Sequence, residues 1–171
     1  MAQVPTNLSE VLTRTVVRMI DDIAACTSSN TYLSTMPNQL PPNPDEVMFE
    51  VSPSGTYSFD QDIITGAGRN ALQCSTEILV TIHVTHQNDE MGRDTEYLTN
   101  STRGALVHVG SVLESLSLHN LLIANGNEIL IHPMRPTTGW IPPKDDRRKG
   151  FVTLAFSVEF DWDISSDIYT P

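Results

Sequence analysis

The sequence predicts an α+β fold of two layers: a mostly antiparallel sheet with helices packed on one face. Three observations predict it. Residues 76–86 and 151–162 alternate apolar and polar side chains, the pattern of strands with one dry and one wet face. Residues 8–25 and 94–118 carry apolar side chains at three- and four-residue spacing, the pattern of helices with one buried stripe. The resulting order is helix, two weak strands, strong strand, helix, strand, strong strand, which places the helices over one side of a single sheet. A chain of 171 residues predicts one domain.

The first helix is read from Leu8, Val11, Leu12, Val16, Met19, Ile20 and Ile23. Asn7 with Glu10 three positions on resembles a capping box with Asn as the capping residue. Pro5 keeps the helix from starting much earlier, and residues 27–30 (TSSN) end it. Residues 27–46 then read as a long loop, because Pro37, Pro41, Pro42 and Pro44 lack amide donors and restrict the residues before them. A short strand at 47–51, a turn at Ser52-Pro53-Ser54-Gly55 and a second weak strand at 56–64 follow. Gly66-Ala67-Gly68 opens another loop.

In the strand at 76–86, Ile78, Val80, Ile82 and Val84 share one parity, with Glu77, Thr81, His83 and Thr85 on the other. In the closing strand, Val152, Leu154, Phe156, Val158, Phe160 and Trp162 share one parity. At about 3.3 Å per residue that strand runs roughly 40 Å, about twice the usual length. The two are expected to be core partners in one sheet, antiparallel, sharing an apolar face. The helix over 94–118 covers that face with Leu98, Ala105, Val109, Val112, Leu113 and Leu116. Gly104 and Gly110 within it mark either a close approach to the sheet or a weakened start. Asn125-Gly126 gives a turn and 128–132 a short strand. Residues 132–150 form a second proline-bearing loop that holds Trp140 and ends in Lys144-Asp145-Asp146-Arg147-Arg148-Lys149.

Composition narrows the function classes. Lys and Arg number 10 and Asp and Glu 21, a formal charge of −11. Such a surface repels nucleic acid, which needs a basic patch. It reads either as plain solubility or as a surface past which nucleic acid slides. No apolar run reaches the ~18–20 residues that span a bilayer, so no membrane is expected. The N-terminus lacks a basic and then apolar segment, so no secretory leader is expected, and Cys26 and Cys74 are expected as free thiols.

A search for chemistry finds little. His83 and His86 form an H-x-x-H, but on a strand residues three apart face opposite ways and do not share a metal. His108, His119 and His132 lie at no ligand spacing. There is no phosphate loop, dinucleotide fingerprint or nucleophile elbow. Cys74, on a strong strand, reads as a buried structural thiol. Asp161 and Asp163 share a strand face and read as a solvated edge rather than an acid–base pair. The 144–149 run reads either as a solvated hairpin tip or as a docking knob for an acidic neighbour. Trp140 among prolines either anchors a contact or is buried by its own loop. No cofactor, metal or catalytic residue is assigned, and no enzyme is expected.

Strands longer than a small sheet needs, and two proline-rich loops with little apolar content, suit a subunit that orders against neighbours. Here the helix beginning at Leu8, the strand around 77–85, the helix after Asp94 and the closing F-V-T-L-A-F-S-V-E-F-D-W-D-I resemble the tail-terminator (tail-completion) proteins of tailed bacteriophages. The resemblance rests on element order and strand pattern over most of the chain. It implies a small α+β subunit forming a homohexameric ring that caps the tail tube and joins it to the head. The partners it implies are the tail tube protein and the head–tail connector or neck proteins, with DNA passing through unbound. The place it implies is the virion tail or neck, reached after assembly in host cytoplasm. Head-completion and other neck adaptor proteins fit the same pattern. A small α+β enzyme using Asp161, Asp163 or a histidine is the reading from another class. The residues expected at interfaces are Trp140, Lys144, Arg147, Arg148, Lys149, Glu159, Asp161 and Asp163.

Overall fold

A computed structural model describes residues 4–35, 47–66, 69–85, 104–121, 126–140 and 149–163. Two helices, α1 (Leu8–Asp22) and α2 (Ala105–Leu116), pack on a five-stranded sheet. The strands in chain order are β1 (Thr31–Leu33), β2 (Met48–Gly66), β3 (Arg69–Thr85), β4 (Arg135–Trp140) and β5 (Lys149–Asp163). Their order across the sheet is β1-β2-β3-β5-β4. Only β1 against β2 is parallel; the other three pairings are antiparallel. The fold is α+β, as the hydrophobic patterning predicts.

The two strong strands are partners. β3 and β5 pair from Ala71 opposite Asp163 to Thr85 opposite Lys149. This register sets Ile78, Val80 and Ile82 beside Phe156, Leu154 and Val152 on the helix-covered face, and all six are buried. Burying each such side chain contributes roughly 1.5–3 kcal/mol before entropy is counted. Val11, Met19 and Ile23 from the first helical segment and Val112 and Leu116 from α2 close the core from above.

Local chemistry explains the element ends. Asn7 caps α1: its Oδ1 accepts from the Glu10 amide at 2.9 Å. The Glu10 carboxylate takes the Arg14 guanidinium at 2.7 Å, so the cap forms through the Asn7 side chain. The helix stops at Asp22, three residues short of the predicted end. The Asn30 side chain accounts for the turn that follows, taking the Thr27 amide at 2.7 Å and donating to the Ala25 carbonyl at 2.8 Å.

Several loop and turn expectations are corrected. The predicted loop over 27–46 contains β1, which lies alongside Phe49–Val51 of β2; its prolines lie outside the described residues. The predicted turn at residues 52–55 does not reverse the chain. Pro53 is still paired with Ile78, and pairing resumes at Tyr57. Gly55, at φ +88°, sits in the irregularity between them. Proline and glycine inside a strand mark a bulge as readily as a turn, so the two weak strands are one 19-residue strand. Gly104 is the N-cap of α2, and a Cβ on Gly110 would meet nothing within 4 Å. Gly104 therefore marks the helix start, and Gly110 lies on an open face with no close approach to the sheet. Residues 94–103 lie outside the described residues.

Residues 128–132 do not form a ladder strand. They are tied by separate bonds, among them Ile129 N–H to the Leu121 carbonyl at 3.0 Å and Ile131 N–H to the Glu159 carbonyl at 2.8 Å. The predicted loop over 132–150 holds β4, an edge strand exposed at all six residues. Pro136 sits in it beside a register irregularity, where a missing amide is tolerated.

The expectation of one dry and one wet sheet face also needs correction. The wet parity is half-buried or exposed at Ser157, Glu159 and Asp163, but Glu50, Ser52, Thr81, His83, Thr153 and Ala155 at its centre are buried. The Thr81 and Thr153 hydroxyls meet at 3.0 Å, and His83 Nε2 lies 2.6 Å from Glu50 Oε2.

Candidate interaction surfaces

The sheet changes width along its length, and this places the candidate surfaces. β1 covers β2 only at Phe49–Val51, and β4 covers β5 only from Thr153 to Ser157. Past those points β2, β3 and β5 continue as a three-stranded arm to Gly66, Arg69 and Asp163. On the β5 side the arm's edge is sealed by the N-terminal segment. Thr6 donates its amide to the Asp161 carbonyl at 2.8 Å and accepts from the Asp163 amide at 2.9 Å, while Ile131 takes the Glu159 carbonyl.

Asp161 and Asp163 therefore lie where backbone bonding is already complete. Burial pushes the Asp161 carboxyl above the usual carboxylate range. Glu159 lies between them and the sheet centre, half-buried, with His132 at 3.8 Å. Trp140 ends β4, half exposed, with its ring edge on Phe151 at 5.8 Å. It is thus neither wholly buried nor wholly free. Lys149 opens β5 opposite Thr85. Lys144, Arg147 and Arg148 lie outside the described residues.

Sequence reading misses the most exposed aromatic group among the described residues. Tyr57 and Phe59 of β2 meet Trp162 of β5 at centroid distances of 6.0 and 5.6 Å, and each other at 5.4 Å. Phe160 stacks beneath Trp162 at 5.8 Å. Tyr57 is 55 % exposed and Phe59 43 %. Their register, opposite Thr76 and Cys74, places them on the face that the helices cover elsewhere. The signal was present in the alternation Tyr57-Ser58-Phe59, but a supposed turn just before it made the strand look weak.

The buried Glu50–His83 pair was also missed, since its partners lie 33 residues apart. Glu50 is wholly buried with Oε1 unbonded, and its charge together with burial pushes the neighbouring Tyr32 phenol up to about 12, burial being the larger cause. Cys26 and Cys74 are free and buried; burial pushes the Cys26 thiol up to about 11 and raises Cys74 too. Such thiols are poor nucleophiles. Among the described residues no three His, Cys, Asp or Glu converge as metal ligands. A polar recess between the end of α1 and α2 is lined by Arg18, Asp22, Glu114, Ser115 and His119. Within it Arg18 pairs with Asp22 at 2.7 Å, and Ser115 Oγ donates to Asp22 at 3.2 Å. No described helix is long and apolar enough to cross a membrane.

These features define a class by fold: a two-layer α+β domain with an extended, aromatic-bearing sheet arm. No protein-family model matches the chain, and no curated protein matches it. Among solved structures, it is similar in fold to a chain of the virion of a native gene transfer agent particle. The TM-score is 0.52 at 9 % identity, over 91 % of this chain and 99 % of that one.

Proposed function

We propose that this chain is a structural protein of a phage-like virion, a ring-forming subunit that caps the tail tube and joins it to the neck. The observation that carries the reading is the similarity in fold, over 91 % of this chain, to a chain of a gene transfer agent virion. The exposed arm and the half-exposed Trp140 support it, because aromatic side chains at a surface are the usual anchors of protein contacts. On this reading the partners are further copies of the chain, a tail tube protein and head-side neck proteins. DNA crosses the ring without specific binding, in keeping with the formal charge of −11. The chain has no catalytic role, and its place is the virion tail or neck after assembly in host cytoplasm.

Mass spectrometry of purified particles from the source should find the chain. Images of the isolated protein, alone or with tube protein, should show a closed ring with a central hole. Absence from the particles, together with a monomeric mass in both settings, removes the reading. Finding it on tailless heads moves it to head completion.

A further inference from the structure

Among the described residues the arm has one edge without a strand neighbour and one exposed aromatic patch, and they adjoin. Among the described residues no strand covers β2 beyond Val51, whereas the opposite side of the arm is sealed by Thr6 and Ile131. Two register irregularities, at Pro53/Tyr57 and Phe59/Ile63, shape that edge. Such bulges discourage strand pairing along that edge, so a partner there is held by side chains rather than by a continued ladder. Tyr57 and Phe59 sit between them, with Asp60 exposed beside them.

Charge complementarity identifies the occupant. By sequence, Arg135, Lys144, Arg147, Arg148 and Lys149 supply five of the ten cations in only fifteen residues, against Asp145 and Asp146: 5 − 2 = +3. The remainder of the chain carries 5 − 19 = −14. Of these, Arg135 opens β4, the sheet edge opposite the β2 side, and Lys149 opens β5; the other three lie outside the described residues. All six residues of β4 are exposed, Trp140 by half, and Arg135 opens the strand.

We propose that the aromatic arm of one copy, centred on Tyr57 and Phe59, docks on the β4 edge of the next copy, with Asp60 facing Arg135. This deepens the ring reading above and names its contact. The two surfaces lie on opposite edges of the sheet and differ from each other, so the contact is head-to-tail. Head-to-tail contacts close into rings when the rotation per subunit allows, whereas a self-complementary patch gives a twofold dimer.

The test uses the full chain and mass photometry with native mass spectrometry. Wild type forms a closed oligomer larger than a dimer. Asp60→Arg and Arg135→Glu, which bring like charges together, each raise the dissociation constant by about tenfold or more. The double swap restores assembly toward wild type, a result that general misfolding does not produce. Tyr57→Ala with Phe59→Ala abolishes assembly without altering the far-ultraviolet circular dichroism spectrum, since both rings lie on the surface of the arm, about half exposed. A wild-type chain that stays monomeric at its highest soluble concentration, a twofold dimer, or an oligomer indifferent to all four substitutions overturns the proposal. Presence in particles with arm-independent assembly retains the virion reading and sinks only this contact. Arm-dependent rings from a chain absent from particles do the reverse.

Discussion

The Glu50–His83 pair shows at the scale of one residue how a polar group is tolerated in a core. Taking a carboxylate out of water costs several kcal/mol, and only a close, well-aimed partner offsets it. At 2.6 Å His83 is that partner, and Glu50 is wholly buried. Removing His83 strands the carboxylate, so His83→Ala should lower stability by about 3–5 kcal/mol. Replacing both partners by apolar residues of similar volume, Glu50→Met with His83→Leu, should recover most of that loss. Urea titrations of Glu50→Met, His83→Leu and the double variant measure the coupling. A His83→Ala loss within about 0.5 kcal/mol, the range of ordinary surface substitutions, would mean that the pair contributes nothing. None of this was legible in the sequence, where Glu50 and His83 are ordinary members of polar parities. Only the β2–β3 register, which sets Met48 opposite His83 and Glu50 opposite Thr81, brings them within reach.

At the scale of elements, legibility followed hydrophobic periodicity. β3 and β5 were readable because each alternates over ten or more residues, and their partnership followed from the shared dry face. α1 was readable from its stripe and from Asn7. β4 was not, because all six of its residues are exposed and backbone bonds to β5 hold it in place. The continuity of β2 was hidden by Pro53 and Gly55, whose local preference for a turn is overridden by pairing with β3 on both sides of the bulge. Of the two readings of the α2 glycines, a weakened start fits Gly104, the N-cap, and a close approach does not fit Gly110. Gly110 sits exposed in the helix interior with φ negative and open space around it. It therefore costs the helix conformational entropy and contributes no packing. Gly110→Ala should stabilise the protein by about 1 kcal/mol, read as a raised midpoint in thermal or urea unfolding. A lowered midpoint would show that a neighbour approaches this face after all.

At the scale of the whole molecule, charge is the organising quantity. The cations gather by sequence between Arg135 and Lys149, and carboxylates dominate elsewhere, including Glu159, Asp161 and Asp163 along the arm. If copies join edge to edge, the cationic segment is consumed in contacts and the exposed remainder of a ring is anionic. DNA crossing such a ring meets repulsion on every side and no site at which to rest, since binding requires phosphates to be neutralised. Glu159 and Asp163 are suitable probes because they share a sheet face, lie outside the proposed arm–edge contact and are not fully buried. Particles carrying Glu159→Lys with Asp163→Lys should assemble but release DNA more slowly than wild type, with the delay shrinking as salt is raised because screening weakens the added attraction. Unchanged release kinetics at low salt would place this face away from the DNA path. The anionic balance would then be left with the plainer role of keeping the subunit soluble.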